Sequence, residues 1–221
     1  MRELANGIFV EDVGKKSLFL TKNLVVGENV YGERIWQKEY RVIEPMQSKL
    51  GALLTKTNGK VVLDVKKESF VLYLGASTGT TVSHFSDIVG EKGGVFAVES
   101  SPRVMRDLMF LCEKRKNISP ILESANHPEE YAEKIMKVDF LYQDISQKNQ
   151  VEIFLKNAKL FLKKGNQCAI AIKAFSIDIT RKPEEVFKEC EKKLISGGLK
   201  IFDRVILEPY HKGHCMMVCG W

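Results

Sequence analysis

From Phe70 onward the chain alternates short apolar runs with longer stretches of mixed polarity. FVLYLG, VFAVE, Ile118 to Leu122, VDFLYQD and CAIAIKAF have the length and composition of strands. Between them lie helical patterns at TTVSHFSDIVG, at the stretch opened by Ser101-Pro102, at Pro128 to Met136 and at Gln150 to Leu162. Ser101 suits an N-cap and Pro102 the first helical position. A further helix is predicted over Pro183 to Ile195, followed by strands at Leu199 to Leu207 and Cys215 to Trp221. Met and Phe in RVMRDLMFLC recur at helical spacing and read as core.

Strands that are apolar on both faces and separated by helices make a parallel sheet buried on both sides. The last two, joined only by Glu208 to His214, are too close for a helical crossover and must pair antiparallel. This predicts an α/β fold with a Rossmann-like, mostly parallel sheet and an antiparallel last strand. Methyltransferases that use S-adenosylmethionine have that terminal hairpin, and dehydrogenases normally lack it. Residues 1–44 differ: GIFVEDV, KSLFLTKN and GERIWQKEY, with a turn at Val26 to Asn29, predict a small β-rich segment of hairpins. A short helix starting at Pro45 and running to Leu54 would open the main domain, residues 45–221.

Composition narrows this picture only a little. With 221 residues, 44% hydrophobic and 28% charged, the chain suits one α/β domain with a full core. No apolar run approaches the ~20 residues of a membrane span, and the N-terminus has acidic residues where a signal peptide needs an apolar stretch. The expected location is therefore the cell interior. Five scattered cysteines without a C-x-x-C pair, and four dispersed histidines, indicate neither a disulfide framework nor a metal site. The net charge of +6 favours anionic partners, nucleic acid among them, although lysine-rich helix faces account for much of it.

Candidate chemistry begins at YLGASTGTT, residues 73–81, between a strand and a helix. A glycine turn there lets backbone N–H groups face a ligand. Its spacing, Gly75-x-x-x-Gly79, departs from the G-x-G-x-x-G of dinucleotide binders. Glu99 closes the next strand about twenty residues on, where a carboxylate can accept from both hydroxyls of a ribose. The same carboxylate could instead serve the N-terminus of the following helix. Asp144 closes VDFLYQD, and Lys173 lies in CAIAIKAF, where an ammonium needs a partner. Asp144 on the adjacent strand is a candidate partner, either as a structural ion pair or as part of a site that activates a hydroxyl. His214 begins the last strand, whereas His84 and His127 have no assigned chemistry.

In several ordered blocks the chain closely resembles fibrillarin, in the short archaeal form without a Gly/Arg-rich tail. The blocks are EYRVIEPMQSKL, YLGASTGTTVSHFSDIVG, FAVESSPRVMRDL, PILESANHPEEY, QDISQ, IKAFSIDIT and EPYHKGHCMMV. The resemblance implies an S-adenosyl-L-methionine-dependent 2′-O-methyltransferase acting on ribose in rRNA and tRNA. It implies cofactor contacts from Gly75, Thr80, Thr81, Glu99, Ser100, Ser124, Ala125, Asp144, Ile145, Ser146 and Gln147. It also implies a catalytic group of Lys49, Asp144, Lys173 and His214, and no metal. Its partners would be a Nop-type scaffold protein, a kink-turn-binding protein, a box C/D guide RNA and the substrate RNA, in the cytoplasm of an archaeal-type cell.

Four positions depart from the family pattern. Ser100 replaces an aromatic residue after the ribose acid, and Ser124 replaces the aspartate of the adenine loop. Phe175 follows IKA where arginine or asparagine is usual, and Ile43 stands for a tryptophan. Ser100 and Ser124 favour an alternative, a non-catalytic assembly subunit of the same particle. A methyltransferase for small molecules is a third option, which would have no need of the N-terminal strands. The chain shows neither an aromatic stacking pair nor an Arg-rich tail for reading RNA, so target choice is expected to be delegated.

Overall fold

The computed structural model describes all 221 residues and contains two sheets. The smaller sheet is antiparallel and consists of β1 (Arg2–Ala5), β2 (Ile8–Val13), β3 (Lys16–Lys22), β4 (Ile35–Trp36) and β5 (Tyr40–Val42), in the order β1-β2-β3-β5-β4. β1 lies outside the predicted hairpins. It joins β2 through Asn6-Gly7, both at positive φ (41° and 81°), the backbone whose twist matches a two-residue hairpin.

The larger sheet contains β6 (Phe70–Leu74), β7 (Gly94–Glu99), β8 (Ile118–Leu122), β9 (Phe140–Gln143), β10 (Gln167–Lys173), β11 (Lys200–Ile206) and β12 (His214–Gly220). Their order is β11-β12-β10-β9-β6-β7-β8, and β12 alone runs antiparallel to its neighbours. The helices are α1 (Lys49–Thr57), α2 (Thr80–Val89), α3 (Pro102–Lys114), α4 (Gln150–Phe161), α5 (Ala174–Ile177) and α6 (Pro183–Ser196).

Three expectations need correction. α1 starts at Lys49 rather than Pro45, because Ser48 caps it while Pro45 lies in a turn closed by Ser48 N–H donating to the Glu44 carbonyl. Residues 128–134 form a 3₁₀ turn that stops before Met136. In α3 only Met105 and Leu108 are buried, whereas Met109 and Phe110 are more than half exposed, since they lie around the helix from the stripe that meets the sheet.

Alternate residues of β6 feed two separate cores. Val71 and Tyr73 face a core shared with α1, α2 and the inner face of the small sheet (Ile8, Val10, Phe19). Leu72 and Leu74 face the core under α4 and α6. A buried ionic network fastens the small sheet to α2. Asp87 accepts from Thr21 Oγ1 (2.8 Å), Leu24 N (3.0 Å), Arg41 Nη1 (2.8 Å) and Arg115 Nη1 (2.5 Å). Arg41 also donates from Nε to Glu33 (2.5 Å) and from Nη2 to Ser83 (2.8 Å). His84 sits beside it, in contact with Thr21 Oγ1 (2.9 Å) and the Tyr31 hydroxyl (2.6 Å).

Candidate active site

The strand order reverses between β6 and β9, so the connections leaving their carboxyl ends diverge to opposite sides and leave a crevice, the usual ligand position in an open α/β sheet. Five residues stand side by side along that edge: Glu99 ends β7, Gly75 follows β6, Asp144 follows β9, Lys173 ends β10 and His214 opens β12. His214 joins them because β12 is reversed, which pairs it with Lys173 in register.

The glycine turn is built by close approach. Gly75 has φ +81°, and a Cβ there would lie 2.6 Å from the Asp144 carbonyl oxygen. Only glycine lets the end of β6 press against the segment carrying Asp144. The Gly75 and Ala76 N–H groups donate to the Val98 carbonyl, and the Ser77 N–H donates to Glu99 Oε2 (2.9 Å). Ser101 N–H donates to Glu99 Oε1 (2.9 Å), and the Ser101 side chain makes no cap bond to α3. Each carboxylate oxygen of Glu99 thus retains acceptor capacity for a ligand.

A cavity of about 360 Å³ opens over this edge, within the size range of small-ligand sites. Of the residues expected as cofactor contacts, Gly75, Glu99, Ser100, Ala125, Asp144, Ile145, Ser146 and Gln147 line it, together with Lys173 of the expected catalytic group. Ser77, Val104 and Glu123 line it too, and no pattern in the sequence marked them. Three of the expected cofactor contacts lie elsewhere, and Lys49 and His214 of the expected catalytic group are outside the lining. Thr80 faces a separate groove beside α3, and Thr81 is buried with its hydroxyl 3.1 Å from Ser48 Oγ. Ser124 is outside the lining, its hydroxyl accepting from Asn126 N–H within its own loop (3.3 Å). The cavity fits a nucleoside-bearing cofactor: it has a carboxylate held by backbone N–H groups at one end, a cation at the other, and a glycine floor between.

Asp144 is the centre of the charged end. Its Oδ2 lies 2.7 Å from Lys49 Nζ and its Oδ1 2.7 Å from Lys173 Nζ. The second contact is an ion pair out of line for a hydrogen bond, since Asp144 Oδ1 lacks an aligned donor. The aligned bonds of Lys173 Nζ go to Ser146 Oγ (2.8 Å) and the Asp144 carbonyl (3.3 Å). Burial pushes the Asp144 carboxyl up, but Lys49 and Lys173 together hold it below the usual carboxylate range. Burial, with Lys49 and Lys173 nearby, lowers the His214 imidazole, against the Lys212 carbonyl that contacts its Nδ1 at 2.7 Å. Gln150 escaped sequence reasoning altogether. Fully buried at the start of α4, it accepts from the Lys173 N–H (2.9 Å) and donates to the Gln147 carbonyl (2.9 Å), so it fixes the end of β10 against the cavity wall.

This sheet, with one reversed strand and a ligand crevice at its switch point, defines the Rossmann-like methyltransferase class. The model of the Fibrillarin family matches residues 1–221. The chain is 48% identical to the fibrillarin-like rRNA/tRNA 2′-O-methyltransferase of Methanocaldococcus jannaschii, over 100% of this chain and 96% of that one. It belongs to the fibrillarin family. Among solved structures, Aeropyrum pernix fibrillarin with natively bound S-adenosyl-L-methionine is 45% identical, with a TM-score of 0.86 over 96% of this chain and 94% of that one. A chain of a fibrillarin/Nop5p complex is 39% identical, with a TM-score of 0.89 and 99% of each chain covered.

Proposed function

We propose that this protein transfers the methyl group of S-adenosyl-L-methionine to the 2′-hydroxyl of ribose in rRNA and tRNA. The observation that carries the proposal is Asp144 held between Lys49 and Lys173 at the rim of a nucleoside-sized cavity. The M. jannaschii relative bears that activity in its name, and the A. pernix relative was solved with the cofactor bound. When bound, the cofactor supplies an electrophilic methyl on a sulfonium.

This chain's own residues would supply the rest. Glu99 accepts from the ribose hydroxyls of the cofactor, and the Gly75 turn lets its backbone lie close. Lys173 holds the 2′-oxygen of the RNA and stabilises its developing negative charge. Asp144 orients Lys173 and Lys49, while Lys49 and His214 position the nucleotide for in-line attack. His214, kept neutral by burial and the two lysines, is in the correct state to accept a hydrogen bond at neutral pH.

The protein acts as the catalytic subunit of a box C/D ribonucleoprotein, in the cytoplasm of an archaeal-type cell. A Nop-type scaffold partner is supported by the fibrillarin/Nop5p complex. A kink-turn-binding protein and a guide RNA complete the particle on this reading, because the chain has no contiguous motif for choosing a target itself. Lys173→Ala should abolish methyl transfer in the reconstituted particle while calorimetry still detects near-normal cofactor binding. Retained turnover would reject the assignment, and a wild-type chain that binds no cofactor would make it an assembly subunit instead.

A further inference from the structure

A second groove, about 590 Å³, runs beside α1 between the small sheet and the connection leading into β12. Pro45 and Tyr210 line it, in sequence one turn ahead of Lys49 and just before the His211–His214 pair, whose rings are 5.8 Å apart. Thr55, near the other end of α1, lines it as well. α1 has nine residues and so spans about 13 Å at 1.5 Å per residue, enough for successive phosphates of one strand.

The groove's charge is distinctive. Lys15, Lys16 and Arg34 line it against a single acid, Glu44. Glu44 is engaged by Arg34 at 3.2 Å, which leaves the exposed Lys15 and Lys16 without an acidic partner. In the groove beside α3, by contrast, Lys114 is neutralised by Glu28 (2.6 Å) and Arg115 by Asp87 (2.5 Å).

We propose that this groove holds the sugar–phosphate backbone of the RNA strand flanking the target ribose, an inference that rests on the methyl-transfer reading above. Lys15 and Lys16 are mobile point charges suited to phosphates. Tyr210, half-buried against the core, lines the groove as the aromatic side chain available to a base. The lining residues come from five separate segments of the chain, which is why no linear motif announced them.

The test uses the full chain and a fluorescent single-stranded RNA, with anisotropy measured over a range of salt. Lys15→Ala/Lys16→Ala should lower the slope of log K against log salt by about 0.7 for each lost contact. Tyr210→Ala should weaken binding about fivefold or more with the slope unchanged. Lys188→Ala/Lys192→Ala on α6, where both lysines are exposed, should leave the slope at its wild-type value. S-adenosylmethionine affinity should remain normal in the Lys15/Lys16 variant.

A wild-type slope in that variant overturns the proposal, as does loss of affinity for a Nop-type scaffold protein with RNA binding unaltered, which would make the groove a protein-docking surface. Failure of the methyl-transfer reading would show separately, as absent turnover by the wild-type chain in the reconstituted particle.

Discussion

Asp87 and Asp144 are the same arrangement used twice: one carboxylate between two cations. Asp87 lies between Arg41 and Arg115, with side chains 0–1% exposed, and its two oxygens accept four hydrogen bonds. Asp144 lies between Lys49 and Lys173, with side chains 14–15% exposed, and one oxygen lacks an aligned donor. The guanidinium forks around Asp87 are rigid and fully committed, which suits a joint between two sheets. The ammonium groups around Asp144 are compact and reorientable, which suits charges that must also meet a substrate. Saturation makes the first a fastener, and incomplete saturation beside a cavity makes the second a site.

Removing each carboxylate should separate these roles. Asp87→Ala leaves the buried Arg115 guanidinium without a carboxylate and Arg41 with Glu33 alone, and should cost about 3–5 kcal/mol of stability, read from denaturant unfolding. A loss below 1 kcal/mol would show that the network is not the fastener. Asp144→Asn should reduce methyl transfer about 100-fold or more while shifting the unfolding midpoint far less than Asp87→Ala. Equal damage to stability at the two positions would erase the contrast.

Ser48 connects the two regions, since its hydroxyl caps the helix carrying Lys49 and touches Thr81 on the helix carrying Asp87. Ser48→Ala should cost about 1 kcal/mol of stability, and an unchanged midpoint would remove the cap from the account.

The smallest effect concerns pH. Burial, then Arg41 and Arg115, holds His84 well below the usual 6.5, so the folded protein resists a proton that the unfolded chain takes up. The resulting stability is complete above that pH and is lost as pH falls below it. Glu33, held low by Arg41 despite its burial, adds a loss only at more acid pH, as the pH falls through its lowered value. His84→Gln should flatten the decline of stability between pH 7 and 5, and an unaltered slope there would reject the role.

Much of the fold was legible. Apolar runs and helical spacing located β6 to β12 within a few residues, because burial on both sheet faces leaves a direct imprint on composition. β1 was missed, although Asn6-Gly7, which joins it to β2, is a residue pair that marks two-residue hairpins. The start of α1 was not legible from Pro45, which fits a turn as well as a first helical position. Met109 and Phe110 misled because helical spacing reports a face of α3 without saying how wide the sheet contact is. In the site, strand-end reasoning reached Gly75, Glu99, Asp144 and Lys173, while Lys49 came only through family resemblance. Gln150 and the basic groove beside α1 carried no local signal.

What the sequence determined by itself was local: which segments are strands and helices, where glycine permits a tight turn, and which polar residues end strands. These follow from periodicity and backbone sterics, properties of neighbouring residues. The tertiary structure alone decided that Lys49, ninety-five positions from Asp144, completes its ion pair. It alone distinguished Asp87 from Asp144, because whether a carboxylate is saturated or left partly open depends on groups brought from distant segments. Burial and hydrogen-bond satisfaction are properties of the packed molecule, and in this protein they separate the joint from the reaction centre.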